Sequence, residues 1–235
     1  MSVRTLTLAD TTIGKKAIMA VSGLVLLGFV LVHMAGNLLV FQGPAALNGY
    51  ADGLRKLGPM LWIARGVLLA AVAAHVWAAV SLYKANEQAR PVKYHVQHTA
   101  ATTYAAKTMR YGGVIILLFV LYHLAHLTFG VGIPGGHAAA PPAGMPGSVS
   151  GTDVFHNVVV SFQNPAITGI YVLAQLALAL HLYHGAWSFM QTLGLSHPRY
   201  NGLRVKLAAA YATVICVGNL SMPIAVMAGL VKLQG

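Results

Sequence analysis

Acidic charge is what this chain has least of. Aspartate and glutamate total four in 235 residues, at Asp10, Asp52, Glu87 and Asp153, and charged residues of both signs make up only 8%. A soluble domain carries about 25%. So few carboxylates leave none inside an apolar run, which argues against a cation transporter, since those place acids at membrane depth. Cysteine is nearly absent as well. The single Cys216 lies in the last apolar run and excludes an internal disulfide or a CxxC metal or redox motif.

What the chain has instead is hydrocarbon. Hydrophobic residues make up 57% of it, and its mean hydropathy is +0.68. Five apolar runs, at 17–41, 59–83, 111–131, 166–189 and 207–231, approach or exceed the ~20 residues a helix needs to cross a bilayer. Backbone groups in lipid must be satisfied within the segment, and the runs are too long and too evenly apolar for barrel strands. The expected fold is therefore one all-α integral membrane domain over 1–235, a bundle of five membrane-spanning helices. The first run is longer than a signal peptide core and follows Lys15 and Lys16, so it reads as a retained span.

The net charge of +11 is topogenic rather than a nucleic-acid footprint. With five spans, Arg4, Lys15, Lys16, Lys84, Arg90, Lys93, Lys107, Arg110, Arg199, Arg204 and Lys206 gather on one side. Arg55, Lys56, Arg65 and Lys232 remain on the other. The positive-inside rule puts the N-terminus in the cytoplasm and the C-terminus outside. Arg65 is the only formal charge within a span, close enough to its outer end to reach the membrane interface. Residues 84–110 form a basic inner connection, and 132–151 read as a Gly/Pro/Ala-rich outer linker. Residues 153–162 after it have the pattern of a short interfacial helix.

Four of the spans carry a histidine: His33, His75, His123 and His181. A titratable ring in hydrocarbon is costly and marks function by default. His33 and His123 each lie eight residues from the outer end of their span, and His75 and His181 eight from the inner end. At ~1.5 Å per residue, each pair sits roughly 12 Å from its boundary. Depth thus pairs helix I with III and II with IV, and each pair has the makings of a clamp on one flat macrocycle. Neutral imidazole is a common axial ligand of haem iron. Two levels argue against a single tetrahedral zinc site. Gly36, Ala71, Ala74 and Gly185 leave room nearby. His126 and His184 follow His123 and His181 by three residues, on a similar face, so spacing alone leaves the choice within each HxxH pair open.

The residues also carry a family likeness. Gly14-Lys15-Lys16, Met19, Ser22-Gly23 and His33-Met34-Ala35-Gly36-Asn37-Leu38 resemble the opening of the cytochrome b558 membrane-anchor subunit of succinate dehydrogenase and fumarate reductase. So do Tyr122-His123 with Leu127-Thr128 for its third helix. The run from His181 to Phe189, with Gln191-Thr192-Leu193-Gly194 and His197-Pro198-Arg199-Tyr200-Asn201, resembles its fourth helix and following loop. The likeness spans nearly the whole chain.

The resemblance implies an anchor enclosing two stacked b-type haems in the bacterial cytoplasmic membrane. Its axial ligands fall on His33 and His123 for the outer haem and on His75 and His181 for the inner one. His126 and His184 become alternates or neighbours bonded to a propionate, a quinone or the backbone. It implies a flavoprotein subunit holding FAD and an iron–sulfur subunit docked on the cytoplasmic face. Electrons then pass between succinate and a membrane quinone, usually menaquinone, and relatives form larger assemblies. Lys15, Arg110, Arg199, His95 and His98 become candidates for pairing with propionates or the partner subunit. Tyr111 and Ser22 become candidates for an inner quinone site. The competing expectations are a cytochrome b subunit of a hydrogenase or formate dehydrogenase, and a haem-free anchor or transporter.

Overall fold

The computed structural model describes residues 7–89, 103–138 and 152–233. Arg4, Arg90, Lys93, His95, His98 and most of the outer linker lie outside the described residues. Among the described residues the chain is helical, with no strand. The helices are α1 (Thr12–Asn37), α2 (Pro44–Lys56), α3 (Pro59–Gln88), α4 (Tyr104–His123), α5 (Val154–Gln163), α6 (Pro165–Thr192) and α7 (Asn201–Met227). A 3₁₀ turn, Leu38–Gln42, prolongs α1, and a π-helical turn, Leu124–Thr128, prolongs α4. Five of these rods, α1, α3, α4, α6 and α7, are long and apolar enough to cross a membrane.

Local chemistry sets the helix starts. Thr11, Thr103, Asp153 and Asn164 each accept a first-turn N–H through a side-chain oxygen, from Gly14, Ala106, His156 and Ala166 respectively. Pro44, Pro59 and Pro165 occupy first-turn positions where no N–H is needed. Before α1, Thr7 donates to the Asp10 carboxylate through its hydroxyl and its N–H, holding that carboxyl below the usual range.

The rods run further into the charged flanks than the apolar runs did. α3 continues past Lys84 to Gln88, α4 starts at Tyr104 rather than 111, and α7 starts at Asn201 rather than 207. Lysine and arginine are good helix formers, so a charge ends the hydrocarbon run without ending the helix. At the other end α7 stops at Met227 rather than 231. There Gly229 takes φ +72°, and the N–H groups of Leu230 and Val231 turn back to the Ala225 carbonyl.

α6 is the hub, packing on α7, α4 and α1, while α3 packs on α1. Gly218 on α7 lets the Met34 thioether of α1 seat against it, beside Leu182, Ala212 and Ile215. A second apolar cluster, including Val40, Leu47, Phe155, Val159, Phe162 and Tyr171, closes one end of the bundle under α2 and α5. The helix expected at 153–162 is present as α5. α2, in contrast, had no expected counterpart. Its amphipathic face is too short to read as a span, and it gains its partner only when α5 folds over it.

Asn48 joins this roof. It is fully buried on α2, its amide donates to Asp153 (3.0 Å), and its carbonyl accepts the first-turn N–H of Phe155 (3.0 Å). Asn48→Ala deletes both bonds and strands a buried donor, at an expected cost of about 2–4 kcal/mol. A drop in the melting temperature of the detergent-solubilised protein, with the spans retained by circular dichroism, is the checkable result.

Candidate functional site

Two pairs of imidazoles face each other across the bundle. His33 of α1 and His123 of α4 have ring centroids 5.8 Å apart at an interplanar angle of 89°. His75 of α3 and His181 of α6 have centroids 6.2 Å apart at 60°. The helices that carry each pair are not the ones that pack closely. α1 lies against α3 and α6 and α4 lies against α6, whereas neither α1–α4 nor α3–α6 is among the helix pairs that pack extensively within the described residues. The rings therefore approach across gaps between rods. His33 is exposed at that gap although it sits well inside the span.

The two levels differ in the residues one turn before each ring. At the level of His33 and His123, Phe29 stacks on His33 (5.2 Å between centroids) and Phe119 flanks His123 (5.8 Å). At the level of His75 and His181 the residues four positions earlier are Ala71 and Ala177. Between α4 and α6 this second level opens into a cleft of about 210 Å³, lined by Tyr104, Thr108, Tyr111, Gly112, Ala177 and His181.

Hydrogen bonds set the protonation of the His75 ring on α3. His75 Nδ1 lies 3.2 Å from the Met19 carbonyl oxygen, which can only accept, so Nδ1 carries the proton and Nε2 the lone pair. Ser22 stands 3.4 Å from the same nitrogen and, with its own proton directed to Ile18 O (2.7 Å), accepts there too. Gly23 makes this seating feasible. A Cβ on it would sit 3.3 Å from His75 Cε1.

The HxxH pairs resolve in space. His123 meets His33, whereas His126 is turned aside and almost fully buried (1% exposed), with its ring stacked on Tyr122. The π turn that begins at Leu124 places His126 in that position. Such turns add a residue to the local repeat and rotate the rest of the helix about its axis. His181 meets His75, whereas His184 packs on Trp187 (5.7 Å).

Other residues singled out in the sequence have definite places. Ser22 is buried beside His75, with its hydroxyl engaged by α1 carbonyls, so it is not available to a ligand in the cleft; Tyr111 does line that cleft. The Arg65 guanidinium lies over the Trp62 ring (4.7 Å) near the start of α3, an arrangement suited to a membrane interface. Arg110 lies over Tyr83 (4.2 Å) and bonds its hydroxyl, while Tyr83 donates to Glu87; this ties the first half of α4 to the last turns of α3. Lys15 is half-buried, and Arg199 is exposed beside Tyr200.

Three residues had no signal in the sequence. Tyr171 on α6 places its hydroxyl between His123 and His126. Arg204 is buried at the start of α7, with its guanidinium near the Trp187 ring (5.7 Å) and donating to Leu195 O (3.4 Å). Asp52 is a buried acid on α2, paired at 3.9 Å with Arg55. A tyrosine in an apolar span and a charge in a loop are too common to single out before their neighbours are known. Comparisons with family models, with curated proteins and with solved structures return no match for this chain.

Proposed function

We propose that this chain is the dihaem cytochrome b membrane anchor of a succinate:quinone oxidoreductase. One observation carries the reading: four intramembrane histidines form two facing pairs at two levels. A metal–imidazole nitrogen bond is about 2 Å, so two imidazoles sharing one iron would have centroids roughly 6 Å apart. The pairs at 5.8 and 6.2 Å match that spacing although the rods that bear them do not pack extensively on each other. The His75 tautomer supports it further, because a ring that donates from Nδ1 keeps Nε2 for a metal.

On this reading His33 and His123 hold the outer haem, and His75 and His181 the inner one. Each haem supplies a one-electron couple when bound. The chain's residues do the rest. Two imidazoles per haem would hold each iron and leave it no place for other ligands. Met19 O and Ser22 orient His75. Phe29 and Phe119 wall the outer level with aromatic rings, and Ala71 and Ala177 leave the inner level more open. The cleft beside His181, with Tyr104, Thr108 and Tyr111, is the place offered to a quinone, with menaquinone the expected one. The basic side, bearing Lys15, Lys16, Lys84, Lys107 and Arg199, faces the cytoplasm of a bacterial cell and receives the iron–sulfur and flavoprotein subunits. The motifs around His33 and His181 favour this partner set over a hydrogenase or a formate dehydrogenase.

The test is purification of the full chain with its co-expressed neighbours after haem-replete growth. A reduced-minus-oxidised spectrum with a b-type α-band, two haems per chain and a covalent flavin in the preparation is the expected outcome. A colourless chain refutes the haem reading. A b-type spectrum with no flavin and with hydrogenase or formate dehydrogenase activity assigns the cytochrome to that other complex.

A further inference from the structure

One hydroxyl in the membrane is shared by two histidines. Tyr171 Oη lies 3.2 Å from His123 Nδ1 and 2.9 Å from His126 Nδ1. Its ring is clamped by Phe119 (5.0 Å), Phe162 (4.9 Å) and Tyr122 (6.0 Å), so the oxygen has little freedom to choose other partners. A phenol has a single proton. It can donate to one imidazole, and from the other it can only accept. The two histidines therefore cannot have the same tautomer while both bonds stand.

We infer that Tyr171 and His126 form a relay that holds His123 in its metal-binding tautomer and sets the basicity of that ligand. The inference rests on the haem reading above. A His123 that binds iron through Nε2 carries its proton on Nδ1 and donates it to Tyr171. Tyr171 then donates to His126 Nδ1, which puts the proton of His126 on Nε2. The reverse order would protonate His123 at Nε2 and block ligation. His126 is thus the acceptor that aims the tyrosine hydroxyl, three residues from the ligand it serves. Its own Nε2, protonated in this arrangement, is buried with no hydrogen-bond partner among the described residues, so the bond at Nδ1 is the one that holds the ring. The inner level is built differently. His75 donates to a backbone carbonyl, and His181 Nδ1 has no partner among the described residues, so the Tyr171 relay bears on the outer level alone.

An acceptor on the ligand's N–H makes the imidazole a stronger donor to the metal and favours the oxidised iron. Removing the acceptor shifts the potential upward. The test is a redox titration of the purified complex carrying Tyr171→Phe, which keeps the packed ring and deletes only the hydroxyl. His33→Ala and His75→Ala variants, each expected to lose one haem, identify the two titration steps. The expected result is both haems bound, the outer midpoint raised and the inner one unchanged. His126→Leu should move the outer midpoint the same way, and His126→Gln, whose amide oxygen still accepts, should restore it toward the wild-type value. Both haems present with an unmoved outer midpoint in Tyr171→Phe would overturn the relay and leave Tyr171 as packing. If Tyr171→Phe loses the outer haem, the His126 pair decides: Leu shifted and Gln restored supports the relay, and equal behaviour refutes it. A wild-type chain without haem refutes the parent reading instead.

Discussion

On the proposed dihaem reading, His75→Ala and His181→Ala should each remove the inner haem and leave the outer one, and His33→Ala and His123→Ala should each remove the other. This is the largest effect expected of any single substitution in the chain, and the pairing alone dictates it. Each pair of rings meets across a gap between helices that do not pack extensively, so losing either ring would take away one of the two imidazoles that hold one haem. The remaining pair is built on the other two helices and is not disturbed. Haem content measured against protein should fall by half in each variant, and electron paramagnetic resonance should lose one of two low-spin signals. The grouping matters as much as the loss. If His75→Ala and His33→Ala abolished the same signal, or if any one of the four emptied both levels while the protein stayed folded, the two-level arrangement would be wrong.

Gly23→Leu should empty the inner level without altering the first coordination sphere. The backbone at Gly23 passes so close to His75 that a Cβ would already stand 3.3 Å from Cε1 and 3.5 Å from Nδ1. A leucine adds three more carbons into that space. The ring must then leave its seat, and the bond from Nδ1 to Met19 O goes with it. Overpacking of this kind costs about 1–3 kcal/mol, and here the ligand side chain is what yields. The expected outcome is loss of the inner signal with the outer haem retained as an internal control for folding. Gly23→Ala should keep both haems and shift only the inner midpoint. Retention of a wild-type inner haem by Gly23→Leu would show that α1 does not position His75.

The class of the molecule was legible in its composition. Scarce charge and five long apolar runs leave only helices, because hydrocarbon offers the backbone no other hydrogen-bond partner. The matched depths of His33 with His123, and of His75 with His181, were legible for the same reason: helical rise converts sequence distance directly into depth. α5 was readable from its short pattern beyond a Gly/Pro-rich stretch. The helix ends were less so. Lys84, Lys107 and Lys206 stop the hydrophobic run but not the hydrogen-bond ladder, and α3, α4 and α7 run through them.

Period and depth are properties of one stretch of sequence, and they determined the spans, the two levels and the four candidate rings. Direction around the helix axis was decided only by the folded bundle. A π turn after His123 turns His126 away from His33 and onto Tyr122 and Tyr171. Tyr171 matters because α6 lies against α4, and Asn48 and α2 matter because α5 closes over them. Each of these depends on contacts between residues 45 to 107 positions apart, and no local pattern records which distant side chain will complete a buried hydrogen bond.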